Sequence, residues 1–109
     1  MLHLRLIFSN FATIYNIIEF TMRIKSEYKV REIVGEYVVI LQGRYGADMT
    51  RIITLNESAL LMWNELYGRD FTAEDAAEVL QSHYDVDAVT ALNDAQAWID
   101  KMNECKLLD

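Results

Sequence analysis

The apolar spacing of this chain changes period once, at Leu55-Asn56, and that single switch governs what it can fold into. Before the switch, Tyr28 and Val30 alternate with Lys29 and Arg31 in the run Tyr28–Val34, which is the period of a half-buried strand. Gly35 supplies a turn, and Glu36–Gln42 (EYVVILQ) is the aromatic and β-branched run of a central strand. A loop with Gly43 and Gly46 leads to Thr50–Leu55 (TRIITL), a third strand. Three strands in succession, joined by short connections, predict an antiparallel meander with the third strand on an edge.

After the switch the signals are helical. Asn56 is a good N-cap, because its side chain accepts an orphan amide of the first turn. Leu60, Leu61 and Trp63, with Leu66 and Tyr67, form the expected buried stripe, and Gly68 ends the helix. Thr72 with Asp75 three residues on is a capping box with a shorter acid, and Ala76, Ala77, Val79, Leu80 and Tyr84 give that helix its apolar face. Joined by Gly68-Arg69-Asp70-Phe71, the two form a helix–turn–helix pair. A third helix is expected from about Asp87 to Lys106. The fold class is therefore α+β, winged helix-turn-helix-like, with a three-stranded antiparallel sheet followed by three helices.

The third helix carries more apolar surface than one contact needs. At about 100° per residue its apolar arc spans roughly 200°, against a little over 100° for a helix with a single core contact. Leu92, Ile99 and Val89 form one half and are assigned to the core. Ala91, Ala95, Trp98 and Met102 form the other half, small residues beside a Trp and a Met, which describe a shallow groove. An arc of this width also suits a helix wedged between two parts of its own core, or a homodimer contact.

Composition bounds the function classes. A chain of 109 residues is one domain, able to bury roughly 65% of its unfolded surface. Hydrophobic residues make up 52% of it, too many for intrinsic disorder. Cys105 is the only cysteine, so no internal disulfide forms and a reduced, cytoplasmic setting is expected. Residues 22–55 hold six basic and four acidic side chains, a balance of +2, whereas residues 56–109 hold three basic and twelve acidic ones, a balance of −9. Acidic helices without a Lys/Arg stripe repel a polyphosphate backbone, which sets the rival reading, a winged-helix DNA-binding regulator, in second place.

An enzyme finds even less support. His3 and His83 are the only histidines, His83 suits a helix C-terminus, and Cys105 has no base beside it. No Cys/His metal cluster, phosphate loop or nucleophile motif is present, so neither a metal nor a cofactor is expected.

Residues 1–21 form an apolar extension set apart from a domain over residues 22–109. Ser9, Asn10, Thr13, Asn16 and Glu19 interrupt it, against a membrane span, and without a clear small-residue cleavage site it is a poor match to a secretory signal. The spacing Ile7, Phe11, Ile14, Ile18 fits an amphipathic helix packed on the domain or on a neighbour. The preferred account is an over-long gene start with Met22 as the natural first residue.

Taken in order, several segments resemble the PqqD family of precursor-peptide recognition domains. They are Tyr28-Lys29-Val30-Arg31-Glu32-Ile33, then Gly35-Glu36-Tyr37-Val38-Val39, then Leu55-Asn56-Glu57 leading to Trp63. Thr72-Ala73-Glu74-Asp75-Ala76 with Leu80, Tyr84-Asp85-Val86-Asp87, and Lys106-Leu107-Leu108 complete the set, from about Arg23 to Leu108. The resemblance implies a non-catalytic adaptor, a peptide chaperone that captures the leader of a ribosomally made precursor peptide. It implies presentation of that peptide to a modifying enzyme, often a radical S-adenosylmethionine enzyme, as in pyrroloquinoline quinone biosynthesis. By the same resemblance the leader adds as a strand to Thr50, Arg51, Ile52, Ile53 and Thr54 and lies against Ala91, Ala95, Trp98 and Met102 of the last helix. Arg51 is expected to meet an acidic leader side chain on the outer face.

Overall fold

The computed structural model describes residues 3–8, 16–41 and 51–109, the first of these and 16–20 by their backbone. Its elements are β1 (His3–Phe8), β2 (Asn16–Thr21), β3 (Val30–Ile33), β4 (Glu36–Leu41), β5 (Arg51–Leu55), α1 (Glu57–Leu66), α2 (Ala73–His83) and α3 (Ala88–Glu104). Strands β3, β4 and β5 form an antiparallel sheet in that order, and the three helices follow, so the domain is α+β as its spacing predicts.

The β3–β4 hairpin closes over two residues, Val34 (φ 51°) and Gly35 (φ 77°), both left-handed as a type I′ turn requires. Gly35 bears this freely. Val34 does not, because a β-branched side chain crowds the carbonyl there. Val34 is also 98% exposed, so it gains no burial in return. Val34→Asn is therefore expected to raise stability by about 1 kcal/mol, read as a higher urea midpoint at unchanged slope.

Helix ends follow their caps. The Asn56 side chain accepts from the Ala59 amide at 2.9 Å. Thr72 and Asp75 make a complete capping box, the Thr72 amide donating to Asp75 Oδ2 at 2.9 Å and the Asp75 amide to Thr72 Oγ1 at 3.1 Å. Asp87 accepts from the Thr90 amide at 2.7 Å. Those Thr90 bonds hold the Asp87 carboxyl below its ordinary value, so this stabilisation stands at neutral pH and fades as pH falls through the lowered value. Gly68, at φ 85°, terminates α1.

The core is assembled from Met22 to Leu108, with Val39, Leu66, Phe71, Ala91, Ala95 and Leu107 sealed from solvent. Two short pairings stitch the start of this unit to its end. Met22 and Phe71 exchange amide bonds at 2.9 and 2.8 Å, and Arg23 and Asp109 do so at 3.3 and 2.7 Å, flanking the Ile24–Leu108 bridge.

Three sequence expectations need correcting. In α1 the buried residues are Met62, Trp63 and Leu66, while Leu60 and Leu61 are half-buried, so the stripe is rotated from the expected one. In α3, Val89 is 71% and Leu92 39% exposed, whereas Ala91, Ala95, Ile99 and Met102 are buried. The half assigned to the core therefore faces solvent apart from Ile99. Alanines at 91 and 95 permit close approach, and α3 packs most extensively on α2. Finally, the amphipathic helix expected around Ile7 and Ile18 is an antiparallel hairpin, with Leu4 opposite Phe20 and Leu6 opposite Ile18. Alternation in His3-Leu4-Arg5-Leu6 outweighs the helical spacing; Phe11 and Ile14 lie outside the described residues.

Candidate functional site

The tight turn sets the phase of the whole sheet. Ile33 and Glu36 flank a two-residue turn, so they exchange both of their backbone bonds with each other. Stepping by one along β4 turns Tyr37, Val39 and Leu41 toward β5, opposite Leu55, Ile53 and Arg51. It follows that the backbone N–H and C=O groups of Ile52 and Thr54 point to the other side of β5. That side is an edge, because among the described residues β5 pairs only with β4.

Side chains of β5 divide by the same parity. Leu55 is buried and Ile53 half-buried on the core side, while Ile52 is 60% exposed and Thr54 exposed on the outer side. Arg51, four residues before Leu55 and opposite the buried Leu41, lies on the core-side parity at the end of the sheet, where it is exposed. It is not on the outer face where an acidic partner was expected. Thr50 lies outside the described residues.

Beside this edge is a cavity of about 730 Å³, within the range of ligand sites. Its apolar wall includes Ile53 and Leu55 of β5, Ala59 and Met62 of α1, and Trp98 and Met102 of α3. Asn56, Ser58, Asp94 and Lys101 supply polar groups around it. Of the four α3 residues proposed as a groove wall, Trp98 and Met102 line this cavity. Ala91 and Ala95 are 0% exposed and stand outside its lining. Contributions from α1, from Leu80, Tyr84 and Val86, and from Leu107 escaped sequence reasoning. Only the helical spacing Ala59–Met62–Trp63–Leu66 hinted that α1 presents a continuous apolar side there.

Trp98 is 8% exposed and packs against Phe71, ring centroids 5.9 Å apart at 35°. Its Nε1–H is buried without an acceptor among the described residues. A donor left so is costly, about 1–3 kcal/mol, which makes Trp98 the least settled member of an otherwise satisfied wall. The arrangement offers strand-pairing groups, an alternating outer and inner face, and an apolar hollow on the inner side. Such a surface suits an extended peptide: main-chain bonds to the edge and alternate side chains into the hollow.

Residues 36–108, which are 73 of the 109, match the family described as Coenzyme PQQ synthesis protein D (PqqD). The match begins at Glu36 and so leaves out the Tyr28–Ile33 segment. No curated protein and no solved structure matches the chain.

Proposed function

The chain belongs to the PqqD family, and on that premise we propose that it is a non-catalytic adaptor for a precursor peptide. The leader of that peptide adds to the free edge of β5, bonding to the amides and carbonyls of Ile52 and Thr54, with alternate side chains entering the cavity. Ile52, Ile53, Thr54, Trp98 and Met102 are the contact residues carried forward. Arg51 supplies charge at the end of the strand, worth about 0–1 kcal/mol at an exposed position. Ala91 and Ala95 support the wall from behind. The single observation that carries the reading is the open edge of β5 standing beside an apolar cavity whose far wall is α3. A modifying enzyme, of the radical S-adenosylmethionine class, is the second partner and receives the presented peptide. A cytoplasmic setting is part of this reading, since the one cysteine, Cys105, is free and buried and the fold calls for no disulfide; no helix among the described residues is long and apolar enough to cross a membrane.

The test begins with short reading frames beside the gene and a peptide synthesised from the most suitable of them. That peptide is titrated into the full chain and into residues 22–109, which contain the core cluster found among the described residues. Binding at a Kd of about 1 μM or tighter, little changed by moderate salt, is the expected result, because the contacts are main-chain bonds and apolar burial. Absence of binding by both forms overturns the reading. A steep salt dependence would instead be the mark of a nucleic-acid ligand.

A further inference from the structure

The charged side chains in the lining of the cavity beside β5 are Asp94 and Lys101, both carried by α3 and both exposed. Across from them, Asn56 and Ser58 are engaged in the α1 cap. Ser58 Oγ donates to Asn56 Oδ1 at 3.1 Å, and the same oxygen accepts from the Ala59 amide. Asp94 and Lys101 make no hydrogen bond or ion pair among the described residues. Nor can they reach each other. Positions 94 and 101 stand about 10.5 Å apart along the helix axis, far beyond the roughly 4 Å of an ion pair.

Local helix chemistry accounts for only one of the two. Lys101 is in the last turn of α3, where a cation complements the helix dipole. Asp94 is mid-helix, and Thr90, Ala91, Ala97 and Trp98, its neighbours at helical spacing, include no base. By contrast Asp100, on the same helix, accepts from Gln96 at 2.8 Å. Trp98 lies between Asp94 and Lys101, one turn from each, so this wall presents an acid, an aromatic ring and a base in succession.

Strand geometry sets the matching ligand. Side chains on one face of an extended peptide recur every second residue, about 6.6 Å apart. A base, an apolar residue and an acid at three such positions span about 13 Å. Flexible Lys and Glu side chains absorb the difference from the separation on α3. We propose that the peptide held at β5 carries this alternate pattern, its base beside Asp94, its apolar residue against Trp98 and its acid beside Lys101. The inference rests on the peptide reading and deepens it: the hollow selects by charge as well as by apolar fit. Residues 56–109 carry a balance of −9, a field that favours basic peptides in general. Lys101 is the exception at the cavity, since Arg69 stands 3.9 Å from Asp75 and Lys106 lies outside the lining. An acid in the peptide is therefore accepted at one place and repelled elsewhere.

Three synthetic peptides, TKTLTET, TKTLTKT and TETLTET, titrated into the full chain and two full-length variants test this. The full chain should bind TKTLTET roughly three- to tenfold tighter than either of the others. General attraction to a chain of net charge −7 ranks TKTLTKT first instead. Asp94→Lys, which leaves the chain net negative, should turn the preference to TETLTET, again against the overall field. Lys101→Glu should turn it to TKTLTKT. Both positions are exposed, so circular dichroism should be unchanged. Asp94→Asn and Lys101→Gln, expected to erase the preference rather than invert it, replace any variant that does not fold. A full chain that ranks TKTLTKT first, binds all three alike or binds none overturns the proposal, as does a ranking that the variants leave unaltered. Leader capture alongside any of those outcomes sinks the charge pattern alone, whereas a failed leader titration removes the peptide reading beneath it.

Discussion

Trp98→Ala is expected to lower stability by about 3 kcal/mol, at the low end of the cost of truncating a buried aromatic. The ring is 8% exposed and lies on Phe71, which is itself 0% exposed. Removing it opens new volume next to the existing cavity of about 730 Å³ and strips Phe71 of its partner. Two effects soften the loss. Part of the ring already faces the cavity rather than packed atoms, and the truncation also deletes an Nε1–H that is buried without an acceptor. Trp98→Phe separates these contributions: it keeps an aromatic ring on Phe71 and drops the orphan donor, so a change within about 1 kcal/mol is expected. Urea midpoints at a constant slope measure both. A Trp98→Ala cost below about 1 kcal/mol would mean that the ring is a surface element of the groove and no part of the core.

How far the sequence discloses this molecule depends on the range of the interactions concerned. The caps at Asn56, Thr72 and Asp87 and the stop at Gly68 involve residues within three or four positions of each other, and all are legible. Strand order is legible too, because the period-two runs precede every helical run. The rotation of α3 is not. A helical wheel orders residues about their own axis but does not say where the neighbouring elements stand. Ala91 and Ala95, weak by hydrophobic rank, win the closest position because α2 can approach them. The face of Arg51 was within reach, since its even separation from the buried Leu55 already assigns its side. The pairing of His3–Phe8 with Asn16–Thr21 depends on register between two segments, which a helical spacing counted across both, from Ile7 to Ile18, does not register. The cavity is the least legible feature, as its wall draws on β5, α1, α3 and the chain near Leu107.

Ile52→Pro is expected to abolish most peptide capture while leaving the fold nearly intact. The alternation fixed by the Val34-Gly35 turn leaves the Ile52 amide without a partner on β4, so proline there removes no ladder bond from the native sheet. The Ile52 side chain is 60% exposed, and little burial is forfeited by replacing it. Stability should therefore change by less than about 1 kcal/mol, and the circular dichroism should be preserved. On the edge the consequences are larger. An incoming strand loses the bond from that amide, meets the pyrrolidine ring where its own carbonyl must approach, and leaves that carbonyl unpaired. One lost bond and one buried orphan acceptor together amount to about 2–4 kcal/mol, or roughly 30- to 1000-fold in Kd. Ile53→Pro is the control. Its amide faces β4 opposite Val39, so the same substitution one residue on should break the sheet itself and be visible as lost stability. An Ile52→Pro chain that unfolds, or one that binds peptide undiminished, would place the pairing groups of β5 on the opposite parity or the peptide at another surface.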